Sequence, residues 1–122
     1  VYALKSVNHM VYDFRNPYYG EMGFHWSEID PNWENWSRSE YVNAMNDPMV
    51  ESAFMVDYNA MIWADTFVLV LPCGASSHLE FGWAIGKGKF TAILLDDGKP
   101  ELMRKLCSHL CKSIRELIKI LS

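Results

Sequence analysis

The strongest hydrophobic signal in the chain is a nearly uninterrupted apolar run over residues 66–72, which a Pro and a Gly close. A parallel strand buried on both faces is typically a continuous apolar run, without alternating polar positions. Ser76 or Ser77 is a suitable N-cap for a helix over about residues 76–87. The pattern therefore predicts a strand, a loop and then a helix. In open α/β sheets ligands bind at this carboxyl edge, and Glu80 falls in the predicted first helical turn.

Strand and helix patterns continue to alternate after this helix. Gly88 is expected to end the helix, because a C-terminal glycine adopts the left-handed conformation without strain. The later predicted elements are a strand over residues 89–95, a short helix over 100–105, an edge strand over 106–111 and a last helix with the apolar stripe Ile114, Leu117, Ile118 and Leu121.

The first half of the chain predicts two strands, over residues 1–3 and 9–14, and two helices, over 40–45 and 48–64. Because parallel neighbours need a crossover of about a dozen residues, we expect a loop and most of a helix to be missing between Ala3 and Leu4. Five strands alternating with helices predict an α/β fold, a flavodoxin-like doubly wound parallel five-stranded sheet in the order 2-1-3-4-5. At this length, residues 1–122 are expected to form one domain.

Composition and charge narrow the function classes. The chain has a net charge of −4, which argues against a nucleic acid polymer as partner, because such binders usually show a basic face. The apolar segments are too short to span a bilayer, so we expect no membrane contact. Cys73, Cys107 and Cys111 are an odd set with no signal peptide before them, which predicts a reducing, cytoplasmic location.

One stretch of the second half also resembles a known family. Asp57 stands eight residues before Asp65, and the apolar strand, a Ser/Gly-rich loop and the sequence SHLEFGWAIG over residues 77–86 follow. This arrangement, continued by the strand over 89–95, resembles the nucleoside 2-deoxyribosyltransferase superfamily. In the first half of the chain, the sequence VYDFRNP over residues 11–17 also belongs to the resemblance. The resemblance implies cleavage or transfer at the N-glycosidic bond of a small-molecule nucleoside or nucleotide. It also implies no cofactor, and a homodimer or higher homo-oligomer in which a neighbouring subunit completes the site.

The resemblance assigns roles to two carboxylates. Glu80 matches the nucleophile that attacks the anomeric carbon while the base departs, and Asp57 matches an aspartate that helps to hold the sugar or the reacting group. The chemistry suits a carboxylate, because bond cleavage develops positive charge on that carbon. One departure concerns Gly74, six residues before Glu80, where transferases of free deoxynucleosides carry an aspartate. Hydrolysis of a nucleotide is therefore as strong an expectation as base exchange.

Further candidates surround this centre, and each also has a structural interpretation. The predicted substrate-binding residues are Ser77, Ser76, Gly74, His78, Asn16, Phe24, His25 and Trp26. The aromatic residues either stack on a base or cap the core or a subunit contact, and His78 either orients a ligand or supports the loop. No metal site is expected, because Cys107, His109 and Cys111 lack the paired C-x-x-C spacing.

Two other function classes are also consistent with the sequence. A Ser-rich loop leading to a glutamate also resembles Toll/interleukin-receptor-like domains, which cleave the nicotinamide glycosidic bond of NAD. A non-catalytic nucleotide-binding module is the third interpretation. Release of nicotinamide distinguishes the second class, and ligand-induced stabilisation without product distinguishes the third.

Overall fold

The structure is a computed structural model that describes residues 1–14 and 24–122. Its backbone contacts divide the chain into two compact units. The sheet unit comprises Val1–Val11 and Trp63–Ser122, and the helical unit comprises Tyr12–Ile62.

The elements in chain order are helices α1 (Tyr2–Ser6), α2 (Arg38–Ala44), α3 (Pro48–Trp63), α4 (Ala75–Gly86) and α5 (Ile114–Leu121), strands β1 (Thr66–Val70), β2 (Phe90–Leu94) and β3 (His109–Cys111), and short 3-10 helices at Trp26–Glu28, Trp33–Asn35 and Leu102–Leu106. The strands that the sequence predicts at 66–72 and 89–95 are confirmed with slightly shorter bounds. Most helix positions are confirmed within two or three residues.

The predicted five-stranded sheet in the order 2-1-3-4-5 is wrong. Within residues 1–14 and 24–122 the sheet has three parallel strands, in the order β1-β2-β3. Thr66 pairs with Phe90, and Ala92 pairs with His109.

The two predicted N-terminal strands do not form. Residues 1–3 begin α1 instead, where the Lys5 N–H donates to the Val1 carbonyl at 3.0 Å, and residues 9–14 have no strand. The physical reason is the short connection: only residues 4–8 separate the two segments, which is too few for a parallel crossover. The expectations of a segment missing between Ala3 and Leu4 and of a single domain stay predictions.

Helices cover both faces of the sheet. Phe67 and Leu69 are buried on the face towards α4, where the rings of Phe67 and Trp83 lie 6.2 Å apart. On the other face, Ala92 and Cys111 pack with Leu117 of α5. The central strand β2 is therefore buried on both faces, as its apolar sequence predicts.

The end of α4 follows its local sequence. The Gly88 N–H donates to the Ile85 carbonyl at 3.0 Å, and the Lys89 N–H donates to the Ala84 carbonyl at 3.1 Å. This pair of bonds is the Schellman pattern, which needs a left-handed residue between helix and strand. Gly88 supplies it with a φ of +74°, so its predicted role is confirmed.

In the helical unit, α2 starts at a capping box. The Ser37 hydroxyl accepts from the Glu40 N–H, and the Glu40 carboxylate accepts from the Ser37 N–H, both at 3.1 Å. The spacing of the apolar residues Phe54, Tyr58, Met61 and Ile62 predicts a buried stripe on α3. This prediction is only partly correct, because Met61 is buried while Phe54 and Ile62 are 55% and 54% exposed. Apolar residues occur around the whole of α3, so their spacing does not define one buried face.

In the part of the chain that the structure describes, no helix combines the length and apolar character that crossing a membrane requires.

Candidate functional site

The loop between β1 and α4 is closed by His78. Its Nδ1 lies 2.9 Å from the Gly74 carbonyl oxygen and 3.7 Å from the Cys73 sulfur. In the tautomer that carries hydrogen on Nδ1, the ring donates to that carbonyl. This contact favours the structural role of His78, which holds the loop against the first turn of α4.

Glu80 lies deeper along α4 than the sequence predicts. The helix begins after Gly74, and neither Ser76 nor Ser77 provides the cap, so that prediction is wrong. The first helical hydrogen bond runs from the His78 N–H to the Gly74 carbonyl, so Ala75 is the first helical residue. Glu80 is therefore the sixth helical residue and lies in the second turn. The field of a helix terminus falls off within the first turn, so it contributes little at Glu80.

Ser77 shares a helix face with Glu80. Residues three apart on a helix are neighbours, and both side chains are half-buried, whereas Ser76 is exposed. The structure therefore brings Ser77 and Glu80 together on α4. A half-buried carboxylate next to a hydroxyl group is a suitable arrangement for holding a polar ligand.

A cleft of about 220 Å³ lies where the chain leaves the carboxyl ends of β2 and β3. Its lining residues are Leu95, Asp96, Gly98, Lys99, Pro100, Glu101, Arg104 and Leu110. The two acidic and two basic side chains balance formally, so charge alone does not make the cleft an anion site. The sequence predicts a short helix over residues 100–105 in this segment, and no sequence pattern indicates the cleft.

Arg104 is the best-defined polar group in the cleft. Its Nη1 donates to the Lys99 carbonyl at 3.3 Å. Its Nε is buried and makes no hydrogen bond to any residue in the described ranges 1–14 and 24–122. An unsatisfied buried donor costs about 1–3 kcal/mol, so this guanidinium has unused capacity for an acceptor.

Two charged residues of this cleft affect the pKa of Cys73, which lies in the loop after β1. Burial raises the pKa of the Cys73 thiol, the Arg104 guanidinium opposes that rise, and the Asp96 carboxylate adds to it. Because a raised pKa disfavours the thiolate, Cys73 is poorly suited to be a nucleophile.

In the helical unit, Asp57 accepts a hydrogen bond from a residue that is not among the predicted site residues. The Tyr12 hydroxyl donates to Oδ1 of Asp57 at 2.9 Å. Burial raises the pKa of the half-buried Asp57 carboxyl, and the Tyr12 hydrogen bond works in the opposite direction. No short-range signal in the sequence relates two residues 45 positions apart.

The predicted aromatic candidates contact one another in the helical unit. The rings of Phe24 and Trp26 meet edge to face at 5.1 Å, and Trp26 contacts Trp36 and Tyr41 in the same way at 5.8 Å. His25 caps the 3-10 helix at Trp26–Glu28, because its Nδ1 accepts from a backbone N–H. These contacts favour the packing interpretation of the aromatic cluster.

The predicted site residues thus divide between the two units. Gly74, Ser76, Ser77, His78 and Glu80 share the segment after β1 in the sheet unit, whereas Asp57 and the aromatic residues belong to the helical unit. Asn16 lies outside the described residues.

Comparisons with protein-family models, with curated proteins and with solved structures found no match for this chain. In the described ranges, no three His, Cys, Asp or Glu side chains cluster closely enough to hold a metal ion.

Proposed function

We propose that this protein cleaves or transfers at the N-glycosidic bond of a nucleoside or nucleotide, with Glu80 as nucleophile and Asp57 assisting. The observation that carries the proposal is the pairing of half-buried Glu80 with Ser77 on the helix that follows β1. The resemblance of residues 57–95 to the nucleoside 2-deoxyribosyltransferase superfamily supports it. The same resemblance leads us to propose a homodimer or higher homo-oligomer without a cofactor. The odd set of three cysteines leads us to propose a cytoplasmic location.

In this proposal a Glu80 carboxylate oxygen attacks the anomeric carbon of the sugar. The bond from that carbon to the base nitrogen breaks, and the base leaves with the electron pair and takes up a proton. Water or a second base then displaces Glu80 from the glycosyl-enzyme, which completes hydrolysis or transfer. Ser77 would bind a sugar hydroxyl or a phosphate oxygen beside Glu80, and Asp57 would hold a sugar hydroxyl.

The test is an incubation of the protein with ribonucleosides, deoxynucleosides, their monophosphates and NAD, with free base followed by chromatography. Glu80→Gln keeps the shape of the side chain but removes the nucleophile, so base release should fall at least about a thousandfold. Glu51→Gln is the matched control, because it makes the same change at an exposed helical position. Glu80→Gln with unchanged base release would contradict the proposal.

Two further outcomes would favour the other classes. Nicotinamide release from NAD, with no base released from nucleosides or nucleotides, would favour the Toll/interleukin-receptor-like glycohydrolase. A rise in melting temperature with a nucleotide, but no product, would favour a binding module, because any ligand of the folded state stabilises it by mass action.

A further inference from the structure

The contact between Tyr12 and Asp57 has the features of a positioning pair. Tyr12 lies in an irregular segment, while Asp57 lies in the middle of α3, so the 2.9 Å hydrogen bond joins parts of the chain far apart in sequence. Both side chains are half-buried.

The geometry on each side of the bond limits its freedom. The Tyr12 ring packs edge to face against Phe14, with centroids 5.0 Å apart and planes at 82°. Asp57 is anchored on a 16-residue helix, whose backbone hydrogen bonds fix the position of its Cα. The phenolic hydroxyl therefore meets a defined oxygen of the carboxylate.

This arrangement leaves the second carboxylate oxygen for another donor. Oδ1 accepts from Tyr12, and within the described ranges no hydrogen bond to Oδ2 is present. A carboxylate has about four acceptor positions, so an Oδ2 held in place by a bond to Oδ1 can accept from a ligand hydroxyl.

We propose that Tyr12 is a positioning residue for Asp57: its hydroxyl fixes Oδ1 so that Oδ2 is directed to a hydroxyl group of the bound sugar. The proposal rests on the proposed function, because it assigns the ligand of Asp57 from that reaction.

The pH profile of base release provides a readout that a purely structural role would not move, because it reports the charge state of Asp57 in the reaction. Burial favours the neutral carboxyl, whereas the Tyr12 hydroxyl favours the carboxylate that can accept from a sugar. Burial and this hydrogen bond are the influences on the Asp57 pKa in the described structure. Removing the hydroxyl therefore raises the pKa of Asp57.

The experiment compares Tyr12→Phe with Tyr41→Phe. Both remove one phenolic hydroxyl in the helical unit, and Tyr41 is 51% exposed and contacts Trp26 through its ring. The Asp57 carboxyl is titrated by carbon NMR, and kcat/KM for base release is measured against pH. Tyr12→Phe should raise the Asp57 titration midpoint, shift the acidic limb of the rate profile to higher pH and lower kcat/KM about tenfold. Tyr41→Phe should change none of these.

The outcomes separate this proposal from the proposed function. An active wild type whose kcat/KM and pH profile survive Tyr12→Phe would overturn the positioning role and leave the reaction in place. A wild type that releases no base would overturn the proposed reaction. The Asp57 titration midpoints of wild type and Tyr12→Phe would then still show whether the Tyr12 hydroxyl lowers the Asp57 pKa. In an Asp57→Asn background, Tyr12→Phe should cause no further loss, and a full additional tenfold loss would show that Tyr12 acts elsewhere.

Discussion

Thr91 and Ser108 exchange two hydrogen bonds, since the backbone N–H of each donates to the hydroxyl oxygen of the other at 3.1 Å. Thr91 lies on β2 and is only 1% exposed, and Ser108 directly precedes β3. The pair occurs just before the register contact of Ala92 with His109. It therefore aligns the short strand β3 with the central strand.

Thr91→Val should destabilise the protein by about 1–3 kcal/mol, because it preserves shape but leaves the Ser108 N–H without its acceptor. Urea unfolding followed by circular dichroism measures the change. Thr66→Val is the control, since it makes the same substitution at a half-buried position of β1 outside this pair. Equal effects of the two substitutions would contradict the structural role of the Thr91 hydroxyl.

Gly88→Ala should lower the free energy of unfolding by about 1–2 kcal/mol, because an L-residue is strained at a φ of +74°. Gly86→Ala is the control, and its free energy of unfolding should not fall. A Cβ at residue 86 would meet no atom of the described residues within 4 Å, and alanine favours a helix by up to about 1 kcal/mol. Thermal melts of both variants test the prediction, which a stable Gly88→Ala would contradict.

Asp57 should make the protein less stable as pH rises above the ordinary aspartate range. Its pKa is raised in the folded protein, so between the unfolded value of about 3.9 and the folded value the folded state binds more protons. Stability from this group is therefore present at low pH and is lost as pH rises through that window. Asp57→Asn removes the titration, so its stability relative to wild type should increase as pH rises from about 4 through the raised Asp57 pKa. Denaturant melts at each pH measure the difference, and a constant difference would contradict the raised pKa.

The rate of Cys73 alkylation should respond in opposite directions to its two charged neighbours. Arg104→Met removes the cation that lowers the Cys73 pKa and should slow reaction with iodoacetamide, because the thiolate is the reacting form. Asp96→Asn removes the anion that raises the pKa and should accelerate the reaction. Mass spectrometry follows the Cys73 peptide, with the Cys107 peptide of the same digest as internal reference. Shifts in the same direction for both variants would argue against this electrostatic assignment.

Elements defined by neighbouring residues are the part of this fold that could be predicted from sequence. The left-handed Gly88 and the apolar strands near residues 66–72 and 89–95 each depend on interactions within a few positions. Their positions are confirmed because caps, turns and burial patterns are local properties of a sequence.

The number and pairing of strands depended on the tertiary structure. Residues 9–14 have a strand-like composition, but a strand forms only where a neighbouring strand is within reach, and the short connection through residues 4–8 excludes a parallel crossover. The start of α4 shifted Glu80 from the first to the second turn, which altered its electrostatic surroundings.

The sequence by itself determined an α/β chain with a serine and a glutamate one turn apart after a buried strand. Only the tertiary structure decided that the sheet of the described residues has three strands and that Tyr12 donates to Asp57. The physical reason is the sequence separation of the interacting residues. Helix caps and apolar strands depend on residues that are adjacent in the sequence. A contact across 45 positions, in contrast, forms only when packing repays the entropy of closing the intervening loop.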